Sequence, residues 1–203
     1  MRLLFILLML SIGTPAHAKG SQDNFAACES AVSAIAIEAC TILLESDQLS
    51  DLDRSWAFRE RAVEYVKIGR FVESVSDFEN SIDLDPTSPW SYNGLAWILL
   101  TEREIHDPAR ALELARATVA ILDNWNTRDT LAMAYAELGR SKDALREYEI
   151  AFDQNWDYGT SVQELLRGYG YYSGPVNGMW SEETRNAVLD CIRDGRQINI
   201  FPS

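Results

Sequence analysis

Three alanines, Ala62, Ala96 and Ala132, stand 34 and 36 residues apart, each inside a similar frame. Around the first the chain reads Phe58-x-x-Arg61-Ala62-x-x-Tyr65, then Gly69, then Ser74-x-x-x-Phe78, then Asp85-Pro86. Around the third it reads Leu131-Ala132-x-x-Tyr135, then Gly139, then Ala144-x-x-x-Tyr148, and Leu95-Ala96-x-x-Leu99 holds the register between them. Residues three or four apart share one face of a helix, so each frame sets a small residue where two helices touch and an aromatic or leucine where one wedges into the next. Gly69 suits the left-handed position that ends a helix, and Asp85-Pro86 stops the following one. A period of this length means a stack of helical hairpins, each burying its apolar face against its neighbours.

The pattern resembles the tetratricopeptide repeat, a helix-turn-helix unit of about 34 residues that forms binding surfaces and does no chemistry. The expected architecture is all-α: a solenoid of about three to four hairpins over 24–155. It divides into a degenerate capping hairpin (24–50) and repeats at 55–87, 89–123 and 126–155. Helices are predicted from Leu52, from Phe71 to Leu84, from Trp90, from Ala109 to Leu122, and from Ser141 to about Gln154. Ser88 is read as a hydroxyl cap with Pro89 at the first helical position, Asp107-Pro108 as the next cap, and Asn126 or Thr127 as the cap of the third repeat. Lys19 to Asn24 reads as loose. Phe25 to Glu45 reads as two short helices with a turn near Ser33 to Glu38.

The start is of a different kind. Met1-Arg2, an apolar run from Leu3 to Ile12, and Ala16-His17-Ala18 describe a secretory signal peptide, residues 1–18. The run is far short of the roughly 20 residues that span a bilayer. The expected location is the periplasm, or alternatively the medium as a secreted protein, with no membrane insertion. The chain has 18 Lys and Arg against 31 Asp and Glu, a net charge of −13. So acidic a chain repels phosphate backbones, which excludes nucleic acid as a partner class. In an oxidising compartment Cys28 and Cys40 are expected to form a disulfide stapling the capping hairpin, the alternative being that all three cysteines are buried thiols. Cys191 is left over as a small core residue. Cys28-x11-Cys40-Thr41 ahead of a good repeat also resembles the start of many exported bacterial tetratricopeptide proteins.

Past Gln154 the pattern changes. Asn155 to Gly159 breaks the helical period. Then come Val162-Gln163-x-x-Leu166, Gly170-Tyr171-Tyr172-x-Gly174-Pro175-Val176-Asn177-Gly178-x-Trp180 and Ser181-x-x-Thr184-x-x-Ala187-Val188. This is helix, tight turn, helix: Asn177-Gly178 tolerates positive φ, and Ser181 is a good cap. The stretch is similar to the type 1 peptidoglycan-binding domain, a small three-helix module, over Ser161 to Ile192. Two departures stand out. Cys191-Ile192 replace an expected aromatic and glutamine, and the family's second half is absent. The module is therefore set at 160–195, a small helix-turn-helix half-domain, with 196–203 as a tail. The last helix of the solenoid is a candidate for its missing packing.

No residues are arranged for catalysis. His106 is alone in a polar loop, no His/Cys cluster has metal-ligand spacing, and no nucleophile elbow or phosphate-cradling glycine loop is present. The chain is read as a non-enzyme without cofactor or metal. By repeat register the groove-facing candidates are Trp56, Arg59, Val63, Asn93, Trp97, Asp129 and Met133, with Trp97 and Met133 equally readable as core between repeats. The module's resemblance implies contacts to glycan or stem peptide by Tyr171, Tyr172, Asn177 and Trp180, of which Asn177 and Trp180 also suit a purely turn-building role. The function expected is a periplasmic interaction scaffold that takes a protein or peptide in its groove and docks on peptidoglycan through the module. The alternatives are an accessory subunit of a cell-wall hydrolase or synthase system and, more weakly, an enzyme with an unrecognised site.

Overall fold

The computed structural model describes residues 16–30 and 32–200. The expected leader lies outside the described residues except for 16–18. Those three open α1 (Ala16–Ser30), so 19–24 are helical, not loose. The expected turn at 33–38 lies inside α2 (Ser33–Leu44), so that stretch is helical. Three further hairpins follow: α3 (Asp51–Lys67) with α4 (Phe71–Leu84), α5 (Pro89–Thr101) with α6 (Pro108–Ile121), and α7 (Trp125–Glu137) with α8 (Ser141–Gln154). Last come α9 (Trp156–Gly168) and α10 (Glu182–Arg193), which pack on each other and on α8. None of these helices is long and apolar enough to cross a membrane.

The echo seen in sequence is an echo of structure. Gly69 and Gly139 have φ of 73° and 69°. Arg70 N–H donates to the Tyr65 carbonyl at 2.9 Å, and Arg140 N–H to that of Tyr135 at 2.8 Å. These two turns satisfy carbonyls that the helix ends would leave open, at a φ that glycine adopts without cost. In both, the arginine lies 4.5 Å over the tyrosine ring. The middle hairpin has no such glycine. Instead a 3-10 turn (Arg103–Ile105) bridges the helices, and Asp107 caps α6 by accepting from Arg110 N–H at 3.0 Å.

Two expected caps differ. The Ser88 hydroxyl faces that of Ser91 at 3.1 Å and does not cap α5. Asn124, not Asn126 or Thr127, caps α7: its side chain accepts from Thr127 N–H, and the Thr127 hydroxyl accepts from Asn124 N–H. That reciprocal arrangement closes two otherwise open donors.

Ala62, Ala96 and Ala132 are fully buried at the helix crossings, together with Ala111, Ala115 and Ala144. One core runs from Ala62 through the repeats into Val162, Leu166, Val188 and Ile198. A smaller one gathers Cys28, Ala39, Cys40, Leu43 and Ala57. Cys28 and Cys40 are joined by a disulfide that ties α1 to α2, and Cys191 is a buried free thiol. Burial raises the Cys191 thiol to about 11, which keeps it protonated and unreactive.

The stretch 155–159, read in sequence as a break, is a helix start. The Asn155 side chain accepts from Tyr158 N–H at 2.8 Å, and Gly159 lies against the Gly178 carbonyl and the Phe152 ring, where no Cβ fits. Phe152 meets Tyr158 and Trp180 edge-on, with centroids 5.6 and 5.0 Å away. The last repeat thus lends α9 and α10 the packing that two helices alone lack.

Candidate binding groove

Helices α3 and α5 lie side by side with the ring of Phe78, from α4, beneath them. That ring packs so close to Gly94 that a Cβ there would overlap it. The missing side chain leaves an open trough. One part, of about 430 Å³, is lined by Val63, Val66, Phe71, Phe78, Trp97 and Glu102 among others. The adjoining part, of about 440 Å³, is lined by Arg59, Glu60, Val63, Phe78, Trp90, Asn93 and Gly94. Val63, Phe78 and Gly94 belong to both. Val63 and Trp90 are exposed, at 38% and 49%.

Four of the seven groove candidates therefore meet here: Arg59, Val63, Asn93 and Trp97. Arg59 is held by Glu60. Asn93 donates from its amide nitrogen to Asn126 Oδ1 at 3.0 Å, which leaves its own Oδ1 buried without a partner. Trp97 Nε1, one turn further along α5, is likewise buried and unpartnered. A buried donor or acceptor without a partner costs ~1–3 kcal/mol. Both residues line the trough, but these two atoms are closed off from it.

The other three candidates lie elsewhere. Trp56 packs on Phe25 at 5.2 Å in the capping core. Asp129 and Met133 are each 2% exposed and offer no groove surface. Helix α9 covers Asp129, whose Oδ1 accepts from Tyr158 Oη at 2.6 Å. Met133 shares a small enclosed space with Ile192 and Ile198 of the C-terminal segment. Burial pushes the Asp129 carboxyl up to about 7 against the lowering effect of the Tyr158 hydrogen bond. Sequence register missed Phe71, Phe78, Trp90 and Gly94. Gly94 inside a helical pattern was the available signal, since such a glycine often marks a close approach.

The four module candidates are spent on internal contacts. Tyr172 is buried and donates to the Pro175 carbonyl at 2.8 Å. Tyr171 donates to Asp194 at 2.6 Å. Trp180 packs on Phe152. Asn177 forms the turn: its carbonyl accepts from Trp156 Nε1 at 2.7 Å and its Oδ1 accepts from Met179 N–H at 3.0 Å. The hub is Gln163, fully buried. Its Oε1 accepts from Asn177 and Gly178 N–H at 2.9 Å each, and its Nε2 donates to the Met179 carbonyl at 2.9 Å and Thr184 Oγ1 at 3.1 Å.

His106 faces Glu137 at 3.6 Å. Among the described residues no three of His, Cys, Asp and Glu are placed to hold a metal.

A tetratricopeptide-repeat family model matches residues 78–113, which span α5 and parts of the helices on either side. The chain carries a tetratricopeptide repeat, and its paired helices form an all-α hairpin array. Among solved structures, the crystal structure of MamA is similar, with a TM-score of 0.57 and 15% identity over 90% of this chain and 93% of that one. At this identity the likeness is one of fold. No curated protein sequence matches.

Proposed function

We propose that the chain is a non-catalytic interaction scaffold whose trough between α3 and α5 receives an extended segment of a partner protein. The observation that supports this most is the trough itself, with its apolar floor of Phe78, Val63 and Val66. An apolar side chain of the segment sits in the trough over Phe78 and Val63. Selection of displayed peptides against the purified protein tests this. Selected sequences should share an apolar anchor and lose binding to Val63→Glu; peptides held equally by that variant would refute the site.

The finer parts of the reading rest on sequence. The leader-like start supports export to the periplasm, and Edman sequencing of the protein recovered from its native cell should then begin at Lys19. The Val162-Gln163 and Gly170-to-Trp180 elements support docking to peptidoglycan as part of a cell-wall system. Retention on purified sacculi, compared with a version lacking residues 160–203, tests it, and no retention of the whole chain would sink it.

A further inference from the structure

We infer that a second cavity, at the seam between the repeats and the C-terminal segment, binds a small organic anion through Arg103 and Arg196. It has about 620 Å³ and is walled by the ends of α5, α7 and α9, the loop that carries Arg103 and His106, and the chain after α10. This volume lies in the range of small-molecule sites. It is separate from the trough and does not depend on the function proposed there.

The cavity exists because the chain returns across 97 residues to close it. Gln197 Nε2 donates to the Leu100 carbonyl at 2.8 Å and to Glu137 Oε1 at 2.9 Å. Ile198, 1% exposed, anchors the next position in the core. The Arg196 carbonyl accepts from Cys191 Sγ, and the Arg196 guanidinium lies 5.1 Å over the Tyr169 ring. One cationic wall is thus held in place from both sides.

What is particular to this cavity is that two arginines line it together. Acidic residues outnumber basic ones 31 to 18. Several arginines elsewhere are matched to carboxylates, Arg61 to Asp77, Arg110 to Glu79, Arg128 to Asp123 and Glu147, and Arg140 to Asp143, while Arg54, Arg116 and Arg167 donate to carbonyl or hydroxyl oxygens. Arg103 and Arg196 line one cavity, and among the described residues neither has a carboxylate within ion-pair distance. The cavity's own acid, Glu137, accepts from Gln197 and faces His106. A guanidinium fork matches the oxygens of carboxylate and phosphate alike, which makes an oxyanion on an organic scaffold the ligand class.

The test is calorimetric titration of the full chain at low ionic strength with citrate and, separately, with inorganic phosphate. At least one should saturate with a Kd of ~1 mM or tighter and weaken as salt is added. Citrate alone assigns a carboxylate ligand, and phosphate alone a phosphate ester. Arg103→Ala and Arg196→Ala should each weaken binding by about tenfold, the loss of a charged hydrogen bond, while Arg185→Ala on the exposed face of α10 should not. All three side chains are exposed, so the variants are expected to fold, and unchanged thermal unfolding checks this. Saturation by neither anion overturns the proposal. So does binding that survives the double variant, or that falls equally in Arg185→Ala.

Discussion

At the scale of single residues, the positions that depart from the repeat pattern are those that carry polar ties between helices. Arg61 stands where the repeat usually has an apolar side chain. It grips Asp77 of α4 with two nitrogens, at 2.7 and 2.9 Å, donates to Thr41 of α2 at 2.9 Å, and lies over the rings of Phe58 and Tyr65. Asp77 is 4% exposed, so removing its partner strands a buried charge. We expect Arg61→Ala to lower unfolding stability by about 3 kcal/mol in urea titration, and Arg61→Ala with Asp77→Ala to recover part of it. Asp129 makes the opposite kind of tie, a carboxyl in the core held by Tyr158. Its folded-state value of about 7 against an ordinary 3.8 means that the folded chain keeps a proton the unfolded chain releases. Its contribution is therefore full below the ordinary value and is lost as pH rises through about 7. Between pH 5 and 7 the wild type should lose up to ~1.4 kcal/mol per pH unit more than Asp129→Asn. Parallel curves for the two would contradict this.

At the scale of elements, the hairpins were legible wherever a local signal had no competitor. Gly69 and Gly139 at the same offset from a tyrosine, and Asp85-Pro86 after α4, placed the ends of α3, α4 and α7. The passage from α1 to α2 has no glycine or proline to announce it, so its position is not legible in the sequence. Trp156 to Gly159 was misread because a glycine near two aromatics looks like a breaker. It is a helix start whose glycine is required by the approach of the 177–178 turn. That turn depends on Gln163, and Gln163→Ala would leave the Asn177 and Gly178 N–H groups open in the interior. A loss of about 3 kcal/mol is expected, seen as hydrogen exchange rising first over 156–193. The capping hairpin should behave as a separate unit, because its core is a cluster of its own around the disulfide. Reduction removes the constraint of a short closed loop, worth about 3 kcal/mol in the chain-entropy model. Faster exchange is expected over 24–45 with 89–193 unchanged. Faster exchange throughout would show one cooperative unit instead.

At the scale of the whole molecule, the chain is an array whose two ends are finished differently. The first end is closed by a covalent tie. The last is closed by α9, α10 and the strap through Ile198, which pack on α8 and cover Met133. This is why Arg59, Val63, Asn93 and Trp97 line the trough while the third-repeat candidates Asp129 and Met133 are buried; Trp56 is taken up by the capping core. Register assumes that every inner helix faces open solvent, but α9 and the strap occupy that face at α7. The proposed binding trough is thereby confined to α3, α5 and the Phe78 floor between them. The most direct test is calorimetric titration of one selected apolar-anchored peptide against the wild type, Val63→Glu and Arg103→Ala. The account predicts that binding is lost in Val63→Glu and kept in Arg103→Ala, whose cavity is separate; equal affinity in the wild type and Val63→Glu would contradict it.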